Sequence, residues 1–164
     1  MNVYEAAIKR IEFIFQEFEQ IVVSFSGGKD SGVMLNLVLD YAKKSNQLDK
    51  VSVYHMDYEA QYQMTTDYVT RTFENLPKEV QKYWVCLPIK AQCSTSMFQS
   101  FWQPWKADEK HLWCRELPEN SINEENHKFS FDYEVSDYEF NLKFAKEISK
   151  NKKSNCSFYI FLYI

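Results

Sequence analysis

The stretch Ser24-Phe25-Ser26-Gly27-Gly28-Lys29-Asp30-Ser31-Gly32 gathers the groups that hold an anion. Adjacent glycines let the backbone turn tightly and bring bare N–H groups close to a ligand. Lys29 adds a mobile positive charge, and Ser26 and Ser31 add hydroxyl donors. Ser31 and Gly32 are expected to open a helix, whose N-terminus supplies unpaired amides and the positive end of a dipole. The chemistry that fits is the binding of a phosphate chain by Ser24, Ser26, Gly27, Gly28, Lys29, Asp30 and Ser31.

Asp30 sets a condition on that binding. A carboxylate beside phosphates is repelled unless a cation lies between them or the acid caps the helix. A magnesium-bound pyrophosphate meets the condition. The Walker A pattern does not fit, because it needs glycine where Val23 stands and serine or threonine where Asp30 stands. The GxGxxG dinucleotide fingerprint fails as well.

The elements around the loop give the glycines their meaning. Tyr4, Ile8, Ile11, Phe15 and Phe18 recur at helical spacing, predicting a helix that ends near Gln20. The β-branched run from Ile21 to Phe25 predicts a buried strand. Val33, Met34, Leu37, Val38 and Tyr41 predict a second helix to about Ser45. A second strand is expected over Val51–Met56, a third helix over Gln61–Leu76 and a third strand over Tyr83–Leu87, closed by Pro88. This rhythm predicts an α/β fold: a parallel sheet of about four to five strands, right-handed crossovers and helices on both faces.

Residues 89–127 carry Trp102, Trp105 and Trp113 with no sustained period, and a long irregular stretch of this kind is usually functional. Asp137–Lys150 reads as a further helix, residues 150–155 as a polar turn, and Ser157–Ile164 as a strand. That apolar end either completes the sheet from inside or stands as a sticky edge that a partner or a second copy covers.

The 164 residues suit a single domain, and 45% hydrophobic and 17% aromatic content argues against disorder. A formal charge of −4 does not direct the molecule to nucleic acid or an anionic membrane. No run approaches a membrane span, and the start lacks the apolar core of a leader. Cys86, Cys93, Cys114 and Cys156 lack metal spacing, so a reduced cytoplasmic protein is expected.

The loop Ser26-Gly27-Gly28-Lys29-Asp30-Ser31 resembles the SGGxDS PP-loop of N-type ATP pyrophosphatases, the adenine nucleotide α-hydrolase-like group. His55-Met56-Asp57-Tyr58-Glu59-Ala60-Gln61-Tyr62 resembles the acidic motif of the phosphoadenosine phosphosulfate (PAPS) reductase branch. The wording DYEAQY, WVCLP and WCRELPEN is similar to a phage and bacterial subfamily of that branch. The resemblance implies ATP or PAPS with Mg²⁺, cleavage between the α- and β-phosphates, and transfer of a nucleotidyl group. It places Met56 and Asp57 near adenine and ribose, and lets Asp57 help Asp30 with the metal. Lys29, Asp30 and Arg115 are the candidate catalytic residues. Arg115, one of three arginines, suits bidentate pairing with a substrate anion.

The chain also departs from that branch. The C-terminal reductase cysteine motif and the iron–sulfur cysteine pairs are missing, and the family's later arginine motif would fall beyond Ile164. The expectation is a shortened member of the family. It leaves a second reading open: a non-catalytic nucleotide-binding scaffold acting with a ParB-like partner, which the resemblance also implies. For single residues the plainer readings are packing for His55, a core cover for the tryptophans, and inert packing for Cys114. Against these stand a base-stacking wall of tryptophans and a Cys114 activated by Arg115.

Overall fold

The computed structural model describes residues 2–93, 97–129, 132–151 and 159–162. The elements follow the expected alternation. Helix α1 covers Val3–Glu17, strand β1 Gln20–Ser24, helix α2 Lys29–Lys44, strand β2 Val51–Met56 and helix α3 Gln63–Asn75. Strand β3 covers Gln81–Val85, the short strands β4 and β5 Ala91–Gln92 and Phe101–Trp102, helix α4 Asp137–Asn151 and strand β6 Tyr159–Leu162.

The main sheet has four strands in the order β3-β2-β1-β6. β1 runs parallel to β2, from Ile21 opposite Val51 to Ser24 opposite Tyr54. On its other side it runs parallel to β6, from Gln20 opposite Tyr159 to Val23 opposite Leu162. The described part of the terminal apolar segment therefore joins the sheet, at the end of the strand order. Of the polar turn expected over 150–155, Lys150 and Asn151 instead belong to α4, and 152–155 lie outside the described residues.

Successive strand residues point to opposite faces. All six residues of β2 are buried, as are Ile21, Val22 and Val23 of β1, so both faces of the sheet are covered. The helices bury narrow stripes: Ile11 and Phe15 on α1, Leu35, Val38 and Ala42 on α2, Val69 and Phe73 on α3. An Asn2–Glu5 capping box starts α1.

Several boundaries differ from the sequence reading, and those around the loop and β3 have a physical reason. α1 stops at Glu17 and β1 starts at Gln20, because Phe18 already takes extended backbone as the C-cap. α2 begins at Lys29 rather than at Ser31. Its first turn is polar and carries no apolar period to read. β3 begins at Gln81, whose exposed side chain hides the strand, and stops at Val85 although burial continues through Cys86, Leu87 and Ile89. Beyond that point Cys86 N–H bonds to Ile122 O instead.

Contacts divide the chain into two compact units: residues 1–55, 62–83 and 152–164, and residues 56–61 and 84–151. Among the described residues no helix is long and apolar enough to cross a membrane.

Candidate functional site

In the first unit, β1 ends at half-buried Ser24, and the loop that follows is built by its own hydroxyls. Gly27 takes φ +82°, a left-handed conformation that glycine adopts without strain. Gly28 is the N-cap of α2. Ser31 Oγ–H donates to Gly28 O at 3.0 Å, which commits its single hydrogen. Ser26 Oγ, 2.9 Å away, is then the donor to Ser31 Oγ, and it accepts from Gly28 N–H at 3.3 Å. One directed relay fixes the turn.

The relay leaves the N-terminus of α2 open. The amides of Lys29, Asp30 and Ser31 have no carbonyl one turn back to bond. Lys29 and Asp30 are exposed and form no ion pair among the described residues. Gly28 receives no side-chain cap, so Asp30 is not the helix cap that one sequence reading allowed. Lys43 and Lys44 in the last turn suit the negative end of the helix dipole, whereas at the first turn Lys29 offsets Asp30.

The second unit holds a buried polar cluster on the turn after β2. Asp57 is fully buried. Its Oδ1 accepts from Glu59 N–H at 2.8 Å and from Arg115 Nη2 at 2.5 Å, and its Oδ2 from Trp84 Nε1 at 2.7 Å. Its carbonyl accepts from Trp105 Nε1 at 2.9 Å. Arg115 also donates Nε–H to Glu59 O at 3.1 Å, and its guanidinium lies 4.8 Å from the Trp105 ring centre. Of the guanidinium that the sequence reading suits to a substrate anion, Nη2 bonds Asp57 and Nε bonds the Glu59 carbonyl. Met56, beside it, is buried at the end of β2.

Glu59 is the hub of this turn. Its carboxylate accepts from Trp105 N–H and Cys114 N–H, each at 2.9 Å. Glu59 and Trp105 both have positive φ, 67° and 58°. Such strain persists in non-glycine residues only where surroundings over-determine it, and here the two are hydrogen-bonded to each other. Trp105 is 2% exposed and stands in the core, while Trp102 and Trp113 are half-buried. The signal for the cluster was present in the residue types: a buried acid needs donors, and tryptophan N–H groups need acceptors.

Cys114 does not become an activated thiol. Although Cys114 is exposed, partial desolvation and then the Glu59 carboxylate raise its pKa, against the opposing pull of Arg115. Its S–H points to Glu59 O at 3.5 Å. A raised pKa leaves less thiolate near pH 8, so iodoacetamide is expected to label Cys114 more slowly than a free cysteine there, gaining on it as pH rises. Peptide mass spectrometry across pH 7–10 reads this directly. Cys86, buried against Asp57, is pushed up further by the same causes. His55 is the packed residue its position suggests: it is 1% exposed, and its Nδ1–H donates to Phe25 O at 2.7 Å.

Magnesium commonly sits on one or two carboxylates, substrate phosphates and water. The exposed Asp30, beside free amides, offers an open carboxylate for such an ion. Asp57, buried under three donors to its carboxylate, does not. Among the described residues no group of three or more His, Cys, Asp or Glu gathers as a metal site.

A glycine loop between a parallel strand and an open helix N-terminus is the arrangement of a nucleotide-binding α/β domain. The sequence matches the phosphoadenosine phosphosulfate reductase domain over residues 20–122, from the first residue of β1 through both clusters, and the chain belongs to that family, within the PP-loop, adenine nucleotide α-hydrolase-like superfamily. It is 33% identical over 153 residues to the uncharacterized protein YbdN of Escherichia coli (strain K12). That alignment covers 93% of this chain and 37% of the relative.

Proposed function

We propose that the β1–α2 loop binds the phosphates of ATP or a related adenine nucleotide such as PAPS, with Mg²⁺. The observation that carries this reading is the start of α2, where Lys29 and Asp30 are exposed, the amides of Lys29, Asp30 and Ser31 have no helical acceptor, and Lys29 forms no ion pair among the described residues. Phosphate oxygens accept from those amides, and Lys29 neutralises them. Asp30 holds the magnesium ion, which when bound neutralises phosphate charge.

With ATP as the nucleotide, the reaction that fits is cleavage between the α- and β-phosphates. An acceptor oxygen bonds to the α-phosphorus, the bond to the bridging oxygen breaks, and pyrophosphate leaves with the electron pair. Lys29 and the loop amides stabilise the charge that develops on the leaving group.

Calorimetry with ATP, PAPS and AMP in magnesium tests the binding. ATP or PAPS is expected to bind more tightly than AMP. Lys29→Ala is expected to weaken binding about 10- to 100-fold, the loss of one charge-assisted hydrogen bond. No binding by a folded sample would overturn the reading. Pyrophosphate release that disappears in Asp30→Ala supports the enzyme; binding without release supports a regulatory nucleotide-binding domain, the role that a ParB-like partner would suit.

A further inference from the structure

All three glycines of the chain, Gly27, Gly28 and Gly32, stand in one six-residue stretch. Their surroundings separate them. A methyl group on Gly28 would meet only Ser26 Oγ, at 3.3 Å. On Gly27 it would lie 2.8 Å from both Thr65 Cγ2 and Val69 Cγ2, and on Gly32 it would lie 2.7 Å from the Tyr68 hydroxyl oxygen. Two of the three are glycines because of α3.

Thr65, Tyr68 and Val69 follow the i, i+3, i+4 spacing of one helical stripe. Within it Tyr68 touches both ends of the loop. Its ring stands edge-on to Phe25, with centres 5.6 Å apart, while its hydroxyl reaches Gly32 in the first turn of α2. Phe25 is itself fixed to β2, through its N–H to Tyr54 O at 2.8 Å and its carbonyl to His55. One rigid ring thus spans from an anchored residue to the start of the helix.

We propose that Tyr68 is a positioning residue that sets the distance between Phe25 and the first turn of α2, and so places the amides that would meet phosphate. The inference rests on the nucleotide-binding reading of the loop. Tyr68 acts through the loop, and a small displacement of binding groups is costly.

Protein labelled with ¹⁵N-glycine gives three backbone signals, all from this loop. Tyr68→Leu is expected to move the Gly27, Gly28 and Gly32 signals and to weaken ATP binding about 10- to 100-fold. Gly32→Ala, which pushes the hydroxyl aside, is expected to move the Gly27 and Gly28 signals and weaken ATP binding in the same sense. The pair Gly32→Ala with Tyr68→Phe removes the colliding oxygen, and the nearest remaining ring atoms lie 3.7 Å from the new methyl, an ordinary contact. That double variant is expected to return both signals and ATP affinity to within about twofold of the parent.

Unmoved Gly27 and Gly28 signals in Tyr68→Leu, or a double variant no better than Gly32→Ala, would overturn the proposal. Should Tyr68→Leu not fold, the Gly32 pair makes the same test with the ring retained. The two readings fail separately. A parent protein whose glycine signals ignore ATP and PAPS refutes nucleotide binding, whereas the shifts among ligand-free variants still decide the role of Tyr68.

Discussion

Asp57→Ala is expected to destabilise the unit that contains it by about 3–5 kcal/mol, the usual result of removing one partner from a buried ion pair. The Asp57 side chain is 0% exposed and that of Arg115 18%, so solvent screens the pair little. The substitution leaves Arg115 Nη2, Trp84 Nε1 and Glu59 N–H without their acceptor. Arg115→Ala is expected to cost a similar amount, because it leaves a buried carboxylate without its counter-charge. The double variant should cost less than the sum, by a coupling of about 0.5–3 kcal/mol. Denaturant unfolding followed by tryptophan fluorescence suits the test, since Trp84, Trp102, Trp105 and Trp113 all belong to this unit. The experiment also separates two roles for Arg115. An arginine kept for a substrate anion would be removed with little loss of stability, and a measured cost below about 1 kcal/mol would return it to that role.

The contrast between the two clusters explains what the sequence made legible. The phosphate loop is local: its glycines, serines, lysine and acid lie within nine residues, and the strand before it and the helix after it carry their own periodicity. β2 was bounded correctly at Val51–Met56 because its burial begins and ends with its hydrogen bonding. The Asp57 cluster depends on contacts 27 to 58 residues away in sequence, with Trp84, Trp105 and Arg115. Composition announced that such donors existed in an irregular stretch but not which acceptor each would find. The sequence therefore showed an arginine suited to an anion, but not that its Nη2 bonds Asp57. The alternative of a Cys114 activated by Arg115 falls for a related reason, while the plainer reading of an inert thiol fits the raised pKa. The neighbouring arginine was visible, whereas desolvation and the Glu59 carboxylate, which outweigh it, come from the fold. The third helix was legible as an element, without a sign that Thr65, Tyr68 and Val69 pack against the glycine loop.

Gly27→Ala is expected to unfold the loop's own unit more readily, at a cost of about 2–5 kcal/mol. An L-residue held in the left-handed region loses about 1–2 kcal/mol, and forcing a methyl into a packed site typically costs a further 1–3 kcal/mol. The collision is with Thr65 Cγ2 and Val69 Cγ2, on β-branched side chains that have few alternative rotamers in a helix. Val69 is also fully buried, so it has no open space to enter. Gly28→Ala provides the internal comparison. Its backbone at φ −80°, ψ 165° is open to any residue, and its nearest neighbour is the movable hydroxyl of Ser26. Losing glycine at an N-cap is expected to cost only about 1 kcal/mol. Its methyl would instead occupy space beside the free amides, so its effect should appear in nucleotide affinity. Far-UV circular dichroism melts together with ATP titrations separate the two, because this unit is rich in helix and holds none of the tryptophans. A Gly27→Ala protein that melts with the parent while losing ATP, or a Gly28→Ala protein that melts far below it, would reverse the assignment of which glycine faces α3 and which faces the ligand.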